Sequence, residues 1–254
     1  MRAHLIHHYH RFRRGLFARL ALTHPGFVSM LPAHGPLRRI AAGETGGDST
    51  LVVFMPGIGD LAEDFIRNGI VEDMRLHGIR ADAVAIDAHY GYYARETIFE
   101  RITDDVVEWG RRKGYRRIWL AGVSMGGFGA ALYAARHPMH LEGLVLFAPY
   151  LGDKPLIEEI RQAGGIAVWE PGQVSEKDYA RSLWVWIKHR QAQAQEDKLP
   201  IYLAYGSGDK FAPANQLLSE CLPGAQVITV EGGHNWPTWR KLWRTLLPRW
   251  KARL

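Results

Sequence analysis

Ile118-Trp119-Leu120-Ala121-Gly122-Val123-Ser124-Met125-Gly126-Gly127-Phe128-Gly129-Ala130 is the stretch on which the fold turns. Five apolar or small residues read as a short buried strand, the glycines as a tight turn, and the small residues after them as the start of a helix. A serine stands at the apex of that turn. Gly122 and Gly126 lack a Cβ, so strand and helix can approach closely while Ser124 takes up an unusual backbone conformation. The free N–H groups at the start of the helix then favour negative charge developing beside the serine oxygen. The plain alternative is a glycine-rich strand-to-helix turn that happens to contain a serine, so partners for the serine have to be sought elsewhere in the chain.

Upstream, Leu51-Val52-Val53-Phe54-Met55 is an apolar run ending in Pro56-Gly57-Ile58-Gly59-Asp60, with a helix expected from about 61 to 76. A second strand, 81–87, leads into the aromatic loop His89-Tyr90-Gly91-Tyr92-Tyr93, and a helix over 96–112 leads into the serine strand. Downstream, 141–147, 201–205 and 226–230 read as strands. Strands alternating with helices predict an α/β domain with a mostly parallel, doubly wound sheet, whose active groups gather in the loops after the strands.

A serine hydroxyl is a weak nucleophile and needs a base, and the base needs a group that fixes its tautomer. Both residue types stand at strand exits: Asp209 in Gly206-Ser207-Gly208-Asp209-Lys210-Phe211-Ala212-Pro213 and His234 in Glu231-Gly232-Gly233-His234-Asn235-Trp236. Asp153, in Ala148-Pro149-Tyr150-Leu151-Gly152-Asp153, is a competing acid, set below Asp209 because the Gly-x-Gly-Asp-x-x-x-Pro surroundings suit the role better.

With these residues in this order the chain resembles the α/β-hydrolase fold family, over roughly residues 50 to 245, and within it the small bacterial serine esterases. The resemblance implies that Ser124 is the acyl-accepting nucleophile, His234 the general base and then acid, and Asp209 the residue that orients His234. It also implies an oxyanion hole from the backbone N–H groups of Met125 and of Gly57 or Ile58. The family often has His-Gly where this chain has Pro56-Gly57, which leaves the second donor open between those two residues. The expected activity is that of a carboxylesterase on a small-molecule ester, with neither metal nor organic cofactor. Thioesterase, lysophospholipase, peptidase and acyltransferase chemistry would use the same machinery.

His89 and Tyr90 in the aromatic loop, together with Trp236 and Trp186, are the candidate substrate-binding residues. The interval 151–199 is longer than one crossover needs. Its stripe Tyr179, Leu183, Trp186 and Ile187 at i, i+4, i+7 and i+8 reads either as core packing or as a small helical cap over the site.

The 254 residues carry a formal charge of +6, yet residues 1–43 hold seven arginines and no acid, leaving the remainder at 25 basic against 26 acidic side chains. We therefore divide the chain into a basic arm, 1–42, with a short amphipathic helix around Leu16, Phe17, Leu20 and Ala21, and a hydrolase domain, 43–254. The arm could cover a flank of the domain or contact an anionic membrane, whereas a near-neutral body without a recognition motif argues against nucleic acid. The single cysteine, Cys221, excludes an internal disulfide. No secretory signal or apolar span is evident, so the expected location is cytoplasmic, peripheral to a membrane if the arm docks there. A non-catalytic scaffold carried to a membrane by this arm is the alternative from another functional class.

Overall fold

A computed structural model describes residues 35–43, 49–194 and 198–254. The arm helix anticipated near Leu16 lies outside the described residues. Seven strands form one sheet in the order β1-β3-β2-β4-β5-β6-β7. They are β1 (Arg39–Gly43), β2 (Thr50–Met55), β3 (Asp82–Ile86), β4 (Arg117–Val123), β5 (Gly143–Phe147), β6 (Ile201–Gly206) and β7 (Val227–Val230). All neighbours run parallel except β1, which pairs antiparallel with β3 at the edge.

The inner strands are buried on both faces, as expected where helices cover a parallel sheet on both sides. Successive strands build outward from β2 first on one side, to β3, and then on the other, to β4. Loops leaving the two sides of that reversal diverge and open a crevice at the carboxyl ends of the strands, where Ser124 ends β4.

The sheet starts four residues earlier than the boundary drawn at residue 43, because Arg39–Gly43 hydrogen-bonds to β3 and Leu37 joins the core. The helix expected over 61–76 is two helices, α1 (Ala62–Arg67) and α2 (Ile70–Leu76). They break at Gly69, whose φ of 69° is left-handed. The loop 89–93 winds into a short helix, α3 (Tyr90–Ala94). The helix before β4 runs as α4 (Ile98–Ile102), a π-helical turn (Thr103–Glu108) and α5 (Trp109–Arg112).

After β4 comes α6 (Met125–Arg136). The long interval contributes α7 (Lys154–Gln162) and α8 (Tyr179–Gln191), which flank the sheet; α8 packs on α6, and α7 on α9 (Ala212–Ser219). Leu183, Trp184, Ile187 and Trp169 of this segment are buried in the core. Arg181 grips Glu159 through two bonds of 2.6 and 2.7 Å, and the Trp184 indole donates to the Leu151 carbonyl at 2.7 Å.

The last helix, α10 (Trp236–Lys251), buries Trp239, Leu242, Trp243, Leu246, Leu247 and Trp250 at helical spacing. Its outer side carries Arg240, Lys241, Arg244 and Arg249, and residues 236–254 hold no acid. The arm is therefore not the chain's single basic segment. Among the described residues no helix is long and apolar enough to cross a membrane.

Candidate active site

Ser124 is the hinge between β4 and α6, with φ 53° and ψ −113°. A side chain rarely tolerates positive φ, so the surrounding contacts must hold it there. They are specific: the Ser124 N–H donates to the Phe147 carbonyl at 2.9 Å, and its own carbonyl accepts from Tyr150 and Phe128 N–H at 3.1 Å each. The glycines make the geometry feasible, since a Cβ on Gly122 would run into the backbone of Gly126 and one on Gly126 into the Met55 carbonyl.

Loops after β6 and β7 bring the other two residues to the same edge. His234 Nε2 lies 2.9 Å from Ser124 Oγ, and His234 Nδ1 lies 2.8 Å from Asp209 Oδ2. With a carboxylate as acceptor, Nδ1 carries the proton and Nε2 is left to accept from the serine hydroxyl. The second oxygen, Asp209 Oδ1, accepts the Phe211 N–H at 2.8 Å, and the Asp209 side chain is fully enclosed. Asp153, the competing acid, is held elsewhere: its carboxylate accepts from the Tyr150 hydroxyl at 2.8 Å and it precedes α7. Burial and the Asp153 carboxylate keep the Tyr150 phenol far above its ordinary pKa.

A cavity of about 810 Å³ opens over Ser124 and His234. Gly57, Ile58 and Met125 line it, and a Cβ on Gly57 would lie 3.4 Å from the Ser124 Cβ. Met125 begins α6, where the first N–H groups have no intrahelical acceptor. The rest of the wall is largely aromatic and includes Tyr90 and Trp236, whose indole donates to Asp60 Oδ1 at 3.2 Å.

Two candidate substrate residues do not reach this wall. The His89 imidazole accepts the Gly91 N–H at 3.1 Å and caps α3, and Trp186 packs partly buried on the core with Arg190 over its ring. No described residue of the 151–199 segment lines the cavity; of the stripe, Leu183 and Ile187 are buried in the core and Tyr179 and Trp186 pack partly buried against it. Conversely, Tyr93, Phe128, Tyr150, Phe211 and Trp239 line it without having been singled out. Phe211 and Phe128 had a signal in the sequence, two residues past Asp209 and one helical turn past Ser124. Among the described residues no group of three His, Cys, Asp or Glu is placed to hold a metal ion.

A strand-elbow-helix at the switch of a mostly parallel sheet, facing an acid and a histidine on later strand exits, defines an α/β hydrolase. The family model for serine aminopeptidase, S33, matches residues 49–177, half of the chain, and the chain belongs to that hydrolase family. No curated protein matches it in sequence. Among solved structures, a ferulic acid esterase is 17% identical with a TM-score of 0.57, the match covering 83% of this chain and 88% of that one. A monoacylglycerol lipase from Paleococcus ferrophilus is 18% identical, TM-score 0.55, over 87% of this chain and all of the other. Est1E from Butyrivibrio proteoclasticus, with ferulic acid bound, is 16% identical, TM-score 0.57, over 85% and 94%. At these identities the likeness is one of fold.

Proposed function

We propose that the protein is a carboxylesterase working through a serine acyl-enzyme. The observation that carries the reading is the unbroken chain from Ser124 Oγ through His234 to the enclosed Asp209, at 2.9 and 2.8 Å. Ser124 Oγ bonds to the ester carbonyl carbon while its proton passes to His234 Nε2. The carbonyl oxygen, now anionic, is held by the Met125 N–H and by that of Gly57 or Ile58. As the intermediate collapses, the ester C–O bond breaks and His234 returns the proton to the departing alcohol. Water then gives a proton to His234 and bonds to the acyl carbon, the bond from that carbon to Ser124 Oγ breaks, and His234 returns the proton to Oγ as the acid departs. Asp209 holds Nδ1–H throughout and steadies the imidazolium.

The cavity offers aromatic walls for an apolar acyl or aryl group, and ester cleavage is the reading we adopt for it. The esterase and lipase names of the structural neighbours agree with that choice. The family's own description favours a peptidase reading with the same three residues, so ester and amide substrates have to be compared directly. The test is labelling with a fluorophosphonate, mapping of the adduct, and turnover of a p-nitrophenyl ester chain-length series beside aminoacyl p-nitroanilides. Adduct on Ser124 with turnover of short esters is the expected result. Faster cleavage of the anilides would replace the esterase by a peptidase, and a folded protein that takes no label would favour the non-catalytic scaffold instead.

A further inference from the structure

Phe211 and Trp239 line the cavity and both pack edge-on against the His234 ring. The Phe211 ring centre is 5.0 Å from that of His234 with planes at 85°, and the Trp239 ring is also 5.0 Å away, at 89°. Perpendicular rings at this spacing on a small imidazole restrict its swing about the Cβ–Cγ bond, because any rotation drives an edge into a neighbour.

Phe211 acts a second time through its backbone, whose N–H occupies Asp209 Oδ1 and so leaves Oδ2 for His234. Its ring is supported in turn by Tyr150, at 5.5 Å and 70°. Trp239 is fixed by the first turn of α10, where the side-chain Oδ1 of Asn235 accepts the Thr238 N–H at 3.1 Å and Trp236 meets the Trp239 ring at 5.2 Å. Trp239 is almost fully buried, and its indole N–H has no hydrogen-bond partner among the described residues. Among the described residues the core tryptophans Trp119 and Trp250 also leave their indole N–H groups without a partner, so it is the contact with His234, not the lone donor, that sets Trp239 apart.

From this geometry we infer that Phe211 and Trp239 are positioning residues, a clamp that holds the His234 ring between Ser124 and Asp209. The inference rests on the serine hydrolase reading for its kinetic consequence, but not for its structural one. A histidine free to swing loses alignment with the serine oxygen and the leaving group. The loss falls on kcat, because alignment matters at the moment of proton transfer.

The test compares Phe211→Leu, which keeps the backbone donor and an apolar side chain, and Trp239→Leu, which removes the indole ring, with Phe211→Tyr, which keeps the ring. Two quantities are read: kcat and KM for p-nitrophenyl acetate, and the far-downfield proton resonance of His234 Nδ1–H without substrate. That resonance is identified by its absence from Asp209→Asn. The expected result is kcat lower by about tenfold or more in Phe211→Leu and Trp239→Leu with KM within about twofold, a broadened or lost resonance, and near-normal behaviour in Phe211→Tyr. A rise in KM alone, with kcat and the resonance unchanged in both ring-removing variants, would mean the rings only line the cavity and would overturn the clamp. Wild-type protein that cleaves no ester would defeat the esterase reading instead, and the resonance would still decide the clamp. Should Phe211→Leu fail to fold, Trp239→Leu reads both quantities.

Discussion

Gly126 lies directly against the Met55 carbonyl, with no room for a side chain between them. This contact seats the first turn of α6 on the end of β2 and so sets both Ser124 and the cavity wall at Gly57. Gly126→Ala must push the helix off the strand, because the obstacle is backbone and cannot rotate away. Overpacking of this kind costs about 1–3 kcal/mol. The variant is expected to melt earlier than wild type and to lose more activity than its stability loss explains, since the serine moves with the helix. Thermal melts paired with fluorophosphonate labelling rates measure the two effects separately.

Removing members of the hydrogen-bonded chain should act on turnover and leave the fold intact. Ser124→Ala deletes the attacking atom, and kcat should fall by on the order of 10⁵ to 10⁶. Asp209→Asn keeps the shape but presents an amide to His234 Nδ1, favouring the wrong tautomer, at a cost of about 10⁴ in kcat. Unchanged circular dichroism with kcat at these levels is the expected outcome, and full activity in Ser124→Ala would end the proposed mechanism.

The strand, elbow and helix around Ser124 were legible because local chemistry alone dictates them: glycines where backbones touch, an apolar run before, small residues after. The acid and the histidine were legible through their place at strand exits. What could not be read was which side chains from distant loops meet. Trp186 and Trp239 both sit on helical stripes; a stripe says that a face is buried, not against what, and it is Trp239 that meets His234. His89 sits in a promising aromatic loop, but its ring is used locally to cap a helix. The edge strand Arg39–Gly43 lacks the alternation of a half-buried strand and is defined by its pairing with β3, a long-range fact.

Cys221 provides a control on the nature of the nucleophile. Burial pushes its thiol up to about 11, so at pH 8 almost none is thiolate and the reactive form is scarce. Iodoacetamide at that pH is expected to leave both Cys221 and the esterase activity largely untouched, while a fluorophosphonate abolishes the activity. Loss of activity in step with alkylation of Cys221, followed by peptide mass mapping, would place a thiol in the mechanism where our proposal has a hydroxyl.

The pair Glu159–Arg181 predicts how the helical segment after β5 responds to acid. Hydrogen bonds from Arg181 and then from the Trp169 indole hold the Glu159 carboxyl down at about 2, against about 4.3 for a free glutamate. A carboxylate depressed in the folded state adds stability that is complete above the unfolded pKa and disappears as pH falls through the folded one. The window is therefore between about pH 4 and pH 2. The Glu159 side chain is 43% exposed, so solvent screening limits the contribution to less than about 1 kcal/mol. Glu159→Gln should accordingly lower the melting temperature slightly at pH 7, by the same amount at pH 5, and progressively less as the acid window is crossed. Melts of wild type and variant across that range test it. A gap that stays constant down to pH 2 would mean that Glu159 holds α7 and α8 together by packing rather than by charge.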